Sequence, residues 1–317
     1  MSRCVSMATV SLLKKTGTHV LYSVKEEGFP KNTCIISSEK FRHVLFKPYL
    51  AGKSLQDSME SAGEVFVRAI SDTAIKGEKL DSLVELVYLS GGLFYNIPTG
   101  FKRVHNFAIP QCFIGIQRVR IEGSEGEFSA RVGYENFEAL PKEAVVIIGD
   151  TIATGATMFR GLQSLANALD EKGIRLKKLV ICTLAGSAEG ARKIQHAHEK
   201  LKAAHPGLET YLFAAEQFFT LMPDGTDLRF LEKDSIIPED TRKFIMSEYG
   251  EWLGINMQCA VFDWGTRCKN PIKHYHEFIE FTQRIAKNPE ITPDALVRIR
   301  LMEKEARSGL ADFDRRI

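Results

Sequence analysis

Val145-Val146-Ile147-Ile148-Gly149-Asp150-Thr151-Ile152-Ala153-Thr154-Gly155-Ala156-Thr157-Met158 decides how this chain is read. Four apolar residues run into an acidic residue, and a turn containing Thr and Gly follows. Beyond it Met158, Leu162, Leu165 and Leu169 recur at steps of four, three and four, which is one buried face of a helix. A strand, a turn and a helix in that order leave unpaired N–H groups at the helix start, and with the helix dipole these favour an anion such as a phosphate. Gly155 lets the backbone approach a ligand with no side chain in the way. Thr154 and Thr157 each offer a hydroxyl, and Asp150, just past the strand, is placed to accept hydrogen bonds from ribose hydroxyls. The plainer alternative is a simple Thr-Gly turn with Asp150 as a cap. The stretch is not a Walker A loop, since no Gly-Lys-Thr or Gly-Lys-Ser follows, and it lacks the Gly-x-Gly-x-x-Gly order of a dinucleotide fingerprint.

Outward from this stretch, strands alternate with helices. Leu83 to Leu89 reads as a buried strand ending at Ser90-Gly91-Gly92, where a helix is expected to start. Lys178 to Leu184 and Leu208 to Ala214 are further strands, with a helix over Ala188 to Leu201 between them. The alternation implies an α/β fold with a mostly parallel central sheet flanked by helices on both faces, and ligands of such sheets bind at the carboxyl ends of the strands. Residues 112–135 read as a β-hairpin around Gly123 and Gly126. Segment 61–73 has helical spacing, while residues 1–60 carry no clear pattern. Residues 229–252 are charged and partly helical with Pro238 near a start, 274–286 is amphipathic helix material, and Thr292-Pro293-Asp294 opens a last helix running to 307.

The 317 residues suffice for one large core. Apolar residues at 44% and charged residues at 26% are ordinary for a folded domain. A net charge of +2 with no basic block argues against nucleic-acid binding. No apolar run approaches the length of a membrane span, and the first residues lack a signal-peptide layout. The six cysteines, at 4, 34, 112, 182, 259 and 268, form no close metal-ligand pair and read as reduced thiols of a cytoplasmic protein. His196 with His198, and His274 with His276, lie two apart on helices, point to different sides and read as solvated.

With these elements placed, the chain resembles a type I phosphoribosyltransferase, and within that family uracil phosphoribosyltransferase. The resemblance rests on the strand, turn and helix at 145–158. Val87-Tyr88-Leu89-Ser90-Gly91-Gly92-Leu93 resembles the family's pyrophosphate loop, and Gly115-Ile116-Gln117-Arg118 the strand that carries its Arg. Leu184-Ala185-Gly186-Ser187-Ala188-Glu189-Gly190, with His205-Pro206 and Tyr211 beyond, follows the family's order, and Asp263-Trp264-Gly265-Thr266-Arg267 resembles its base-binding loop. On this reading residues 1–60 contribute to a hood or dimer contact, 61–228 form the phosphoribosyltransferase core, 229–254 is an insertion, 255–270 holds the base-binding loop, and 271–317 is a helical C-terminal extension.

The resemblance implies transfer of a 5-phosphoribosyl group from phosphoribosyl pyrophosphate to a ring nitrogen of uracil or a related heterocycle, with release of pyrophosphate. Ala153, Thr154, Gly155, Ala156, Thr157 and Met158 would surround the 5-phosphate, and Asp150 would hold the ribose. Ser90, Gly91 and Gly92 would wrap the pyrophosphate by backbone contacts, and Arg118 would add a phosphate contact. Val261, Phe262, Asp263, Trp264, Gly265 and Arg267 would meet the base. Asp150, Arg118 and Asp263 are the expected catalytic residues. Mg²⁺ would be bound mainly through the donor, with no protein metal site. The hairpin at 118–135 would be the lid, and the protein a homodimer in pyrimidine salvage.

The sequence departs from the family in several places. Ser90 stands where an Arg is usual, and Lys102 and Arg103 either replace it or are solvated. Gly149 occupies the first position of the usual acidic pair, and Asp150 falls where the uracil enzymes have Pro. In the base loop Trp264 replaces a small residue, free either to stack on a larger ring or to pack the loop, and Thr266 replaces Asp. These departures leave open a non-uracil acceptor in a specialised pathway, or a non-catalytic nucleotide-sensing homologue.

Overall fold

The computed structural model describes residues 8–314 apart from 90, 121–127, 224, 226 and 260–263, and it leaves the side chains of 118–120, 128, 129, 264, 265 and 314 undescribed. The chain opens with β1 (Thr9–Lys15), β2 (Val20–Lys25), β3 (Asn32–Ser37), α1 (Glu39–Leu45) and α2 (Gly52–Ser71). The middle comprises β4 (Leu83–Tyr88), α3 (Ile97–His105), β5 (Gln111–Arg120), β6 (Phe128–Asn136), β7 (Glu143–Gly149), α4 (Ala156–Lys172), β8 (Arg175–Thr183), β9 (Gly186–Ser187), α5 (Ala188–Ala204) and β10 (Glu209–Ala215). The remainder is β11 (Phe218–Leu221), β12 (Leu228–Arg229), α6 (Glu239–Glu248), α7 (Gly250–Asn256), α8 (Trp264–Lys269), α9 (Pro271–Ile285) and α10 (Pro293–Asp314).

Nine strands form the main sheet in the order β1-β2-β3-β10-β8-β7-β4-β5-β6. The six from β3 to β5 are parallel, and antiparallel strands lie beyond them on both sides. The expected hairpin is β5–β6. Counted among themselves, β4, β5, β7, β8 and β10 stand in the spatial order 2-1-3-4-5. That is a doubly wound order, whose ligand crevice opens where the winding reverses, outside the carboxyl ends of the first and third strands. Here those strands are β4 and β7.

Strand β7 is buried from Ala144 onward, and its residues alternate between two apolar cores. Val145 and Ile147 belong to the core on one face of the sheet, Val146 and Ile148 to the core on the other. Helices cover both faces, as a parallel sheet requires, and each such side chain contributes about 1.5–3 kcal/mol by leaving water. On α4 the expected stripe of Met158, Leu162, Leu165 and Leu169 is buried to 2%, 1%, 0% and 0% exposure.

Elsewhere the boundaries differ from the sequence reading. Helix α2 begins at Gly52 rather than 61, and after β4 a short 3-10 turn (Gly92–Phe94) precedes α3. Residues 9–37, patternless in sequence, form three strands that extend the sheet past β10. The stretch 229–254 supplies Phe230, Ile245, Tyr249 and Leu253 to one core. His274, expected in solvent, is buried, and its Nε2 lies 2.7 Å from the Pro48 carbonyl, to which it donates. Burial, with the charge of Arg267 nearby, pushes its pKa down to about 4. His198 is half-buried and its Nδ1 lies 2.9 Å from Thr210 Oγ1. Cys34, Cys112, Cys182 and Cys268 are free thiols, and Cys259 is fully buried. Among the described residues no helix is long and apolar enough to cross a membrane.

Candidate functional site

Three segments leaving the carboxyl ends of β4, β7 and β8 meet at the reversal point. The segment after β7 is pinned from below. The Asp150 N–H donates to Cys182 O (3.1 Å), Ile152 N–H to Ala185 O (3.0 Å) and Ser187 N–H to Ile152 O (2.8 Å). The Ser187 hydroxyl donates to Ala153 O (2.5 Å) and accepts the Gly190 N–H (2.8 Å), capping α5 at the same time.

This pinning orients the peptides that follow. In a trans peptide the N–H points opposite to the preceding C=O. The carbonyls of Ile152 and Ala153 face Ser187, so the N–H groups of Ala153 and Thr154 point away from the β8–α5 junction. Among the described residues the amides of Ala153, Thr154 and Gly155 have no acceptor. Ala153 is only 4% exposed. Buried main-chain donors are almost always paired, and a run of unpaired amides running into the first turn of α4 makes a concavity suited to an anion.

Two glycines shape that concavity. Gly155 sits at the N-cap of α4 with φ 72°, and a Cβ there would lie 2.8 Å from Lys193 Cβ on α5. A Cβ on Gly190 would meet Ile152 Cγ2 at 2.5 Å and Ala153 O at 2.8 Å, so α5 lies flush against the loop.

The segment after β4 closes the other side. A Cβ on Gly91 would lie 2.6 Å from Asp150 Oδ1, the same oxygen that accepts the Thr151 N–H at 2.9 Å. A Cβ on Gly149 would meet carbon atoms of Tyr95 at 2.7 Å. Tyr95 is 1% exposed, and its hydroxyl accepts the Leu184 N–H (2.9 Å) and lies 3.4 Å from Thr151 Oγ1. Burial, then the negative charge of Asp150, pushes the phenol up, so it stays protonated at neutral pH.

The structure thus brings Gly91, Asp150 and the 153–158 stretch together. Ser90, Val261, Phe262 and Asp263 lie outside the described residues, as does the 121–127 tip of the hairpin. Arg118 stands on β5 opposite Ala130, with its side chain undescribed. Trp264 and Gly265 open α8, also with undescribed side chains. Arg267 is 1% exposed, and its guanidinium donates to the carbonyls of Leu50 (3.0 Å), Lys47 (3.0 Å) and Val44 (3.4 Å). These three carbonyls belong to the end of α1 and the corner between α1 and α2. The far end of α8 does approach the crevice, since Lys269 Nζ lies 5.9 Å from the centre of the Phe94 ring. Arg103 pairs with Glu60 at 2.6 Å.

Sequence reasoning missed Ser187 and Tyr95. Ser187 carried a readable signal, a Ser just before a helical run with Glu189 in its first turn. Tyr95 carried none, because its hydroxyl partners are 56 and 89 residues away.

Among the described residues no group of three or more His, Cys, Asp and Glu is arranged to hold a metal ion. No family model matches this chain, and no curated protein does. Among solved structures, a hypoxanthine phosphoribosyltransferase from Staphylococcus aureus is a distant, partial match at 16% identity and a TM-score of 0.30. The alignment covers 42% of this chain and 65% of that enzyme, just under two thirds of its length. At that distance the likeness carries no argument, and the functional reading rests on the geometry of the crevice.

Proposed function

We propose that this chain is a Mg²⁺-dependent phosphoribosyltransferase that moves a 5-phosphoribosyl group from phosphoribosyl pyrophosphate to a ring nitrogen of uracil or a related heterocycle, releasing pyrophosphate. The observation that carries the reading is the set of unpaired amides at Ala153, Thr154 and Gly155, set at the reversal point beside Asp150 and Gly91. An anionic group, a polyhydroxylated ring and a second anionic group fit that order of amides, carboxylate and glycine loop.

The division of labour follows from the residues. The three amides and the first turn of α4 hold the 5-phosphate. Asp150 accepts hydrogen bonds from the pentose hydroxyls. Main-chain groups at Gly91 and Gly92 wrap the pyrophosphate, with Ser90 and Arg118 as further proposed contacts. The base lies against 261–265. Holding donor and acceptor together and balancing charge as pyrophosphate leaves is the bulk of the catalysis such a transfer needs. Asp150 supplies one carboxylate in the crevice, and Mg²⁺ commonly takes one or two protein carboxylates together with substrate phosphates; when bound it would offset the negative charge of the departing group.

The test is pyrophosphate release from phosphoribosyl pyrophosphate across a panel of pyrimidines, purines and other nitrogen heterocycles, with and without Mg²⁺. Turnover with one acceptor class in Mg²⁺ is the expected result. Failure to bind the donor at all refutes the proposal. A second reading, transfer to a non-uracil acceptor, is favoured by Gly149, which departs from the family's acidic pair and whose Cβ space Tyr95 fills. The panel separates the two readings directly.

A further inference from the structure

Asp150 and Tyr95 make a reciprocal fit across the crevice. The carboxylate of Asp150 reaches over Gly91, and the ring of Tyr95 reaches over Gly149, each filling the place where the opposite residue would otherwise carry a Cβ. Tyr95 then extends its hydroxyl to the third segment, accepting the Leu184 N–H at 2.9 Å and standing 3.4 Å from Thr151 Oγ1. One buried side chain therefore fixes the segments after β4, β7 and β8 in one arrangement. It also fills the space a side chain at 149 would need, so the crevice presents Asp150 with no carboxylate beside it at 149.

We infer that Tyr95 is a positioning residue for the pentose: its ring excludes a second acidic group at position 149 and its hydroxyl sets Asp150 and Thr151 against the sugar. The inference rests on the donor-site reading above and adds a residue and a division of roles to it. Tyr95 acts on the sugar-facing residues. The 5-phosphate amides are held separately by Ser187 and Ala185, and the pyrophosphate wrap is main chain at Gly91 and Gly92.

The decisive variant is Tyr95→Phe, which keeps the ring over Gly149 and removes only the hydroxyl. Binding of ribose 5-phosphate and of inorganic pyrophosphate is measured by calorimetry in Mg²⁺ for the full chain. Loss of one partner of a buried hydrogen bond corresponds to a change of roughly 5- to 100-fold. We expect a weakening of ribose 5-phosphate binding in about that range, with pyrophosphate binding within about twofold of wild type. Tyr249→Phe is the matched control. Tyr249 is also 1% exposed, and its hydroxyl donates to Phe46 O at 3.0 Å, joining the α6–α7 junction to the residue just after α1. It should lose thermal stability without changing either affinity.

Three outcomes overturn the inference: unchanged ribose 5-phosphate binding in Tyr95→Phe, equal loss for both probes, or the same loss in Tyr249→Phe. Should Tyr95→Phe fail to fold, Thr151→Val interrupts the same chain from its other end and must show the same selective loss. A wild type that binds neither probe removes the donor-site reading itself. A wild type that binds both, with Tyr95→Phe indistinguishable from it, removes only the role of Tyr95.

Discussion

Gly91→Ala tests the crevice with a single methyl group. The added Cβ would stand 2.6 Å from Asp150 Oδ1, whereas ordinary van der Waals contact begins at 3.4 Å. The carboxylate and the glycine loop must therefore separate by about 0.8 Å. Retreat of the carboxylate stretches the 2.9 Å bond from the Thr151 N–H. Retreat of the loop displaces the main chain proposed to wrap the pyrophosphate. A misplacement of about 1 Å in a positioned site costs about 100-fold in rate, so kcat/KM for the donor should fall by one to two orders of magnitude. Gly91 has no left-handed requirement, with φ −67°, so the fold should tolerate Ala and the thermal midpoint should move little. The assay is pyrophosphate release at varied donor concentration, paired with thermal denaturation. A Gly91→Ala protein with kcat/KM within twofold of wild type would falsify the placement of Asp150 at the donor site.

Other expectations follow from single residues. Gly155→Ala forces a Cβ into left-handed backbone and to within 2.8 Å of Lys193 Cβ; it should cost about 1–2 kcal/mol of stability and weaken phosphate binding by calorimetry at least tenfold. Arg267→Met strands the carbonyls of Val44, Lys47 and Leu50 and should cost about 3 kcal/mol in urea unfolding while leaving donor affinity intact; loss of base binding with full stability would show that Arg267 acts at the base site instead. Glu85, 2% exposed on β4, has its carboxyl pushed up to about 7 by burial, against a bond from Gln111 at 2.8 Å. The folded form holds a proton that the unfolded chain has released, so the contribution is complete below about pH 4.5 and is lost as pH rises through about 7, worth up to about 3 kcal/mol. His274, with its pKa lowered from 6.5 to about 4, slopes the other way, its contribution being lost as pH falls through about 4. Glu85→Gln should therefore raise stability at pH 8 and leave the acid-side slope of His274 exposed, as read from thermal midpoints between pH 4.5 and 8.

The parts of the molecule that could be read from sequence are those whose pattern is local. Strands β7, β8 and β10 each carry an apolar run, and β4 one interrupted only at Glu85, because helices bury both of their faces, and α4 shows its period because one side alone faces the core. Strand β1 was illegible for the opposite reason: Leu12 and Leu13 are 62% and 56% exposed, so neither face imposes an alternation. At the site, the Thr-Gly turn chemistry of 150–157 is local and can be read directly from the sequence. The close approach of Gly91 to Asp150, and of Tyr95 to Gly149, could not be read, because each joins residues far apart in the chain. Arg267 shows the converse difficulty. An arginine in a loop motif looks available for a ligand, and its bonds to the carbonyls of Leu50, Lys47 and Val44 join residues 217 to 223 positions apart, beyond the reach of any local pattern.

The N-terminal ribbon has a practical consequence. Strand β3 covers the flank of β10 from Tyr211 to Ala215, a stretch that includes the fully buried Leu212, Phe213 and Ala214. A shortened protein starting at Ser38 would bare that row of main-chain donors and acceptors, an invitation to stick to other molecules strand against strand. Trimming those residues as dispensable would trade a well-behaved preparation for a precipitate.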